Sequence, residues 1–196
     1  MRTSSPTDLY HVTSRAIRPL KLFVDATDCA AFLHGLAVMQ SNDPWRVYAY
    51  CLMGTHFDCI VRAELDLLGR AMRRLKGWYA HELNARRGRT GPAFDDRCHA
   101  SAIATEAHAF AAVVYVELNP VRAVLCAHPS TWPFSGYRAH AALEPSPGWL
   151  ASLDGLGLPG DAKTDSEAVE HAMQQSMASG SGRKARPKAR GSGFPI

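Results

Sequence analysis

Between Val47 and Arg62 the chain carries two apolar, β-favouring runs separated only by Gly54-Thr55, and a segment of that kind commits its surroundings to a sheet. The pattern predicts strands over Val47–Met53 and His56–Arg62, either paired as a hairpin or continuous through a kink at Gly54. Side chains alternate across a strand, so His56, Asp58 and Ile60 share one face while Phe57, Cys59 and Val61 share the other. An imidazole and a carboxylate therefore stand side by side on a strand that otherwise has the texture of core. Such a pair suits metal binding; it also occurs as a solvated polar pair where a strand emerges into water.

The neighbouring segments supply helices and a further strand. Tyr10–Arg15 alternates like a short strand, and Pro19–Asp25 makes an irregular connection. From Asp28 to about Gln40, the positions Cys29, Phe32, Leu33, Leu36 and Met39 fall at helical spacing, with Asp25 or Thr27 available as a cap. A longer helix follows from Leu65 to about Asn84, its apolar face marked by Leu65, Leu68, Met72, Leu75 and Tyr79. Its opposite face is basic, with Arg70, Arg73, Arg74 and Lys76, and the loop beyond it adds Arg86, Arg87, Arg89 and Arg97 around Gly88, Gly91 and Pro92. Cys98–Ile103 suits a short strand. Thr105 caps a third helix whose expected buried stripe is Ala107, Phe110, Ala111, Val114 and Leu118. Pro120 predicts a bend, with Asn119 capping a second short helix, and Thr131–Tyr137 is an aromatic loop expected to pack back over the core.

The 196 residues suit one domain with a tail, residues 1–150 folding and 151–196 forming a low-complexity, partly disordered basic segment. With 46% hydrophobic and 20% charged residues the composition is globular. No apolar run reaches the roughly 18 to 20 residues a membrane helix needs, and the first residues carry no hydrophobic signal segment, so the expectation is a cytoplasmic protein without a membrane partner. Five cysteines at scattered spacings predict reduced, mostly buried thiols rather than a disulfide framework. A net charge of +4 leans towards an anionic partner.

Three features can meet in space: the His56/Asp58 pair, the helical pair Tyr115 and Asn119, and the cationic segment Arg70–Arg97. His56, Asp58 and Asn119 offer imidazole, carboxylate and amide donors to a hard ion such as Mg2+ or Mn2+, which would polarise a phosphodiester. Tyr115 is the available nucleophile, and its phenol, with an ordinary pKa near 10, needs activation. His11 on the first strand can face the same place. The plainer readings are a packing tyrosine, a capping asparagine and a solvated basic face.

Four stretches in series, Tyr10–Arg15, Tyr48–His56, Tyr115–Ala123 and Trp132–Tyr137, resemble successive motifs of the single-tyrosine HUH transposases, and most closely the REP-associated tyrosine transposases. The resemblance covers about residues 8–150. It implies an α+β fold with a ferredoxin-like antiparallel sheet and helices packed on it, and an endonuclease and strand transferase cutting single-stranded DNA near hairpins through a 5′-phosphotyrosine link. It matches His56 to the first histidine of a His-hydrophobic-His metal strand, Tyr115 to the nucleophile and Asn119 to a helical third ligand. Asp58 stands where the second histidine is expected, and Gly54-Thr55 replaces the usual Pro-Asn. The implied partners are single-stranded and hairpin DNA, bound by a monomer or homodimer. The departure at Asp58 keeps open a domesticated, catalytically impaired hairpin-binding protein, and the basic surface alone also suits an unrelated ferredoxin-like RNA-binding or scaffold protein.

Overall fold

The computed structural model describes residues 8–95 and 98–157, together with His171 and Gln174. The hairpin forms. Strands β2 (Arg46–Met53) and β3 (His56–Arg62) are antiparallel, with Met53 opposite His56 across the Gly54-Thr55 turn. Strand β1 (Leu9–Arg15) pairs with the other edge of β3 from Leu9 opposite Arg62 to Arg15 opposite His56, and β4 (His99–Ala102) pairs with β1, giving the order β2-β3-β1-β4. With helix α1 (Ala26–Asn42) between β1 and β2, and α2 (Leu65–Arg87) between β3 and β4, this is the expected ferredoxin-like α+β arrangement.

The alternation along β3 divides the core as the sequence requires. Phe57, Cys59 and Val61 join Val12 of β1 in a cluster with Phe32 and Leu36 of α1 and Leu68, Met72, Leu75 and Tyr79 of α2. Ile60 turns to the other face, where it meets Ala49, Cys51 and Met53 of β2 and Ala109, Val113 and Val116 of helix α3 (Glu106–Glu117). A bulge keeps β2 in step: Val47 faces Val61 but Ala49 faces Ile60, so Tyr48 is an extra residue and packs with Ala49 on the α3 side. The aromatic loop lies along the outer edge of β2, with Leu52 N–H donating to Phe134 O at 2.8 Å and Gly136 N–H to Tyr50 O at 2.9 Å. Packing on this side continues to Leu153 and Leu156, both buried.

Several local details differ from the sequence expectation. Of the two caps the sequence offers for α1, Asp25 is the one used, its Oδ1 accepting from Asp28 N–H at 2.9 Å, while Leu65, expected on the buried face of α2, is 54% exposed in its first turn. Helix α2 runs past Asn84 to Arg87 and stops at Gly88, which sits at φ 58, a left-handed cap that glycine adopts without steric cost. Arg86 and Arg87 are therefore helical rather than in a loop, and both reach back to the buried carboxylate of Asp28. In α3, Ala107 and Ala111 are exposed; Val113, Val116, Ala109 and Ala112 take the sheet, while Val114 and Leu118 bury beside Tyr137. Alanine is small enough to sit on either face, so it marks the phase of a helix poorly.

At the point where Pro120 predicts a bend, α3 ends at Glu117 and a second short helix begins, as expected. Leu118 remains in the right-handed region (φ −82, ψ −2), and a short helix α4 (Asn119–Arg122) follows with Leu118, not Asn119, at its N-cap. Proline near a helix start gives up no needed donor, so Pro120 is accommodated in the first turn of α4. Helix α4 closes with Leu125 N–H to Pro120 O and Val124 N–H to Val121 O, both at 2.9 Å, and Val124 takes φ 57. The helical stretch expected near Glu167–Met177 and the cationic Gly180–Ile196 tail lie outside the described residues, except His171 and Gln174, which are helical. No described helix is long and apolar enough to cross a membrane.

The contact between α1 and α2 depends on one missing side chain. A Cβ at Gly35 would overlap the Trp78 ring, which lies against the helix at that point. Gly35→Ala is expected to lower stability by about 1–3 kcal/mol through overpacking, although alanine is the better helix former. Urea unfolding would register the change as a lower midpoint with an unchanged slope.

Candidate functional site

The face of the sheet turned towards α3 carries a cluster centred on Asp58. Asp58 is only 5% exposed, flanked on β2 by Cys51 and on β1 by Thr13. A carboxylate in such a place needs donors. It has two: His11 Nε2 lies 2.8 Å from Oδ1, and Asn119 Nδ2 donates to Oδ2 at 3.0 Å. His11 stands two residues away in register, on the diagonal of the β1–β3 ladder, within reach of a long side chain. His56 Nε2 approaches Oδ2 at 3.5 Å, and its Nδ1 is 3.3 Å from Thr55 Oγ1. Burial pushes the His56 imidazole below its ordinary pKa; the Asp58 charge works the other way, and Arg15 across the ladder adds to the lowering.

Thus His56, Asp58 and Asn119, named from the sequence, converge, and His11 completes the group. Asn119 does so because α4 continues from α3 and aims its amide at the sheet instead of capping a helix end. Among the described residues no group of three or more His, Cys, Asp and Glu side chains is arranged to hold a metal ion. The donor chemistry of Asp58, His56 and Asn119 does fit a hard divalent cation, but in this arrangement both Asp58 oxygens are engaged by His11 and Asn119.

Tyr115 stands at the rim of the same cluster. It is 42% exposed, its ring meets the His11 ring edge-on at 5.8 Å between centroids, and the guanidinium of Arg122 lies over it at 4.4 Å. The next inward residue of α3 faces away from this group: Glu117 is fully buried and bonded to His140 Nδ1 at 2.6 Å. That pair ties the tyrosine-bearing helix to the end of the aromatic loop, in helix α5 (Tyr137–His140). Neither partner stands out in the sequence, because a lone Glu and a lone His separated by a loop carry no spacing signal.

The cationic residues lie elsewhere. Helix α2 covers the sheet face opposite Tyr115, so Arg70 and Arg73, both exposed, point into solvent on the far side of the molecule. Arg74 pairs with Asp43 at 3.0 Å, Arg86 and Arg87 with Asp28, and Lys76 sits over the Phe94 ring at 5.0 Å. Arg89 lines a separate groove with Ile17, Pro19 and Val24. Arg97 lies outside the described residues.

No protein-family model matches the chain, and no curated protein matches it. Solved structures do. One is a REP-associated tyrosine transposase bound to a REP hairpin, at 20% identity and a TM-score of 0.62, covering 83% of this chain and 92% of that one. The two share a fold. A proposed transposase from Deinococcus radiodurans aligns more loosely, at 13% identity and a TM-score of 0.42 over 56% of this chain and 91% of that one, too distant to bear on function.

Removing the carboxylate at the centre of the cluster should be felt throughout it. Asp58→Ala leaves the Asn119 amide and the His11 imidazole without their acceptor and is expected to cost about 1–3 kcal/mol, with Asp58→Asn costing less because it retains an acceptor oxygen. Thermal melts of the two variants beside the native protein check the order.

Proposed function

We propose that this protein is a transposase-like DNA endonuclease and strand transferase that uses Tyr115 on single-stranded DNA near hairpins. The observation that carries the reading is the meeting of Tyr115 with His11, His56, Asp58 and Asn119, from β1, β3, α3 and α4, on the α3-bearing face of a sheet whose fold is shared with a hairpin-bound tyrosine transposase.

In the proposed reaction the Tyr115 oxygen bonds to phosphorus as the bond to the 3′ oxygen breaks, leaving the 5′ side of the DNA linked to the tyrosine. The phenol proton passes to solvent and the released 3′ oxygen takes one up, so no proton is gained or lost overall. A 42% exposed phenol can be reached by a phosphodiester without rearrangement, and the His11 ring at its edge limits its swing. Mg2+ or Mn2+, held by His56, Asp58 and Asn119, would supply polarisation of the phosphoryl oxygens. Of the cations expected to contact DNA (Arg70, Arg73, Arg74, Lys76, Arg86, Arg87, Arg89 and Arg97), Arg70 and Arg73 make no ion pair among the described residues. A strand bound at Tyr115 would meet them only by passing around the β4 edge. The protein would act as a monomer or homodimer, with the tyrosine working in cis or in trans.

A second reading is favoured by the engaged oxygens of Asp58: a hairpin-DNA binding protein without catalysis. One experiment separates the two. Incubated with hairpin-bearing single-stranded DNA and Mg2+ or Mn2+, the native protein should form a covalent DNA adduct that resists denaturation and disappears in Tyr115→Phe. Binding without an adduct, with cutting gained in Asp58→His, would establish the second reading. An adduct that persists in Tyr115→Phe would refute the first.

A further inference from the structure

The cation nearest the proposed nucleophile is not on the basic helix α2. Arg122 is exposed, and it comes two helical turns after Tyr115 because α4 carries on from α3 across Pro120. Its guanidinium carbon lies 4.4 Å from the Tyr115 ring centroid. A cation–π contact draws on the charge of a guanidinium and leaves its N–H donors for other acceptors.

Among the described residues those donors meet no acid. Five other arginines are matched, Arg62 with Asp8, Arg74 with Asp43, Arg86 and Arg87 with Asp28, and Arg138 with Glu144, while Arg70 and Arg73, unpaired among the described residues, stand on the opposite face of the sheet. Among the described residues Arg122 has no ion pair and no side-chain hydrogen bond, although the turn that follows it is tightly closed by the bonds from Val124 and Leu125. An arginine held in place over an exposed phenol, with its fork of donors open, is arranged for an anion delivered to that phenol.

We propose that Arg122 is a phosphate-binding residue, taking the two non-bridging oxygens of the phosphodiester presented to Tyr115. The assignment rests on the reading of Tyr115 as nucleophile and adds to it the group that positions the substrate. It also places the decisive cation on the same sheet face as His56 and Asp58, independently of the α2 surface.

Binding and adduct formation test the two ideas separately. A fluorescein-labelled DNA hairpin with single-stranded flanks is titrated with full-length native protein, Arg122→Ala, Arg122→Lys and Tyr115→Phe at several salt concentrations, with melting curves showing each variant folded. Arg122→Ala should bind about tenfold more weakly and lose roughly 0.7 from the slope of log affinity against log salt, the share of one single-strand phosphate contact. Arg122→Lys should keep the slope, having kept the charge, yet bind more weakly than native because it lacks the fork. Tyr115→Phe should bind as native does. Native affinity and slope in Arg122→Ala, or no binding by native protein, would overturn the assignment. Whether Tyr115 forms the adduct is read from the denaturing gel, so a missing adduct alongside the expected binding losses would refute the nucleophile and leave the phosphate contact standing.

Discussion

A carboxylate placed in the middle of a sheet has to be answered by donors, and the arrangement around Asp58 follows from that requirement. Desolvation of an uncompensated charge costs more than any one packing contact supplies. Two elements bring compensation: β1 through His11 and α4 through Asn119. Helix α3 is fixed in turn, since α4 follows it after the single residue Leu118 and the buried Glu117–His140 pair holds its other side. The position of Tyr115 is thus the end of a chain of polar constraints that begins on β3.

The sheet separates this polar assembly from the part of the molecule that resembles an ordinary core. On the α1/α2 side, Phe23, Phe32, Phe57 and Tyr79 form a continuous set of aromatic contacts, with Tyr79 Oη donating to Leu22 O at 2.6 Å. Burial there pushes the Cys29 thiol up to about 12, which keeps it protonated and unreactive. The ion pairs of α2 with α1 likewise serve the docking of two helices, which is why much of its basic character is internal to the protein.

Much of this was legible in the residues because alternation is a strict rule. The period of two along β3 settled which side chains face which core, and the Gly54-Thr55 turn joined β2 to β3 as a hairpin. What the sequence concealed was phase and pairing at a distance. The α3 stripe was misplaced because alanines at 107 and 111 look apolar but fit either environment, and Asn119 looked like a cap because a proline followed it. The role of Arg86 and Arg87 was hidden for a different reason. Their partner Asp28 lies on another helix, and a charge on a helix face says nothing of what covers it. His11 reads in the sequence only as a residue able to face the site; nothing local to Tyr10–Arg15 marks the diagonal register that delivers it to Asp58.

The central position of β1 has a consequence for the order in which the molecule can assemble. Strand β1 is made first, but its hydrogen-bonding partners are β3 and then β4, and the Asp58 cluster draws on residues from His11 to Asn119. Contacts so far apart along the chain close late and slowly. On a ribosome the first strand must wait, unpaired, until most of the domain has emerged. The cluster beside Tyr115 therefore comes into being only as the fold completes, and a truncated nascent chain carries its parts without their geometry.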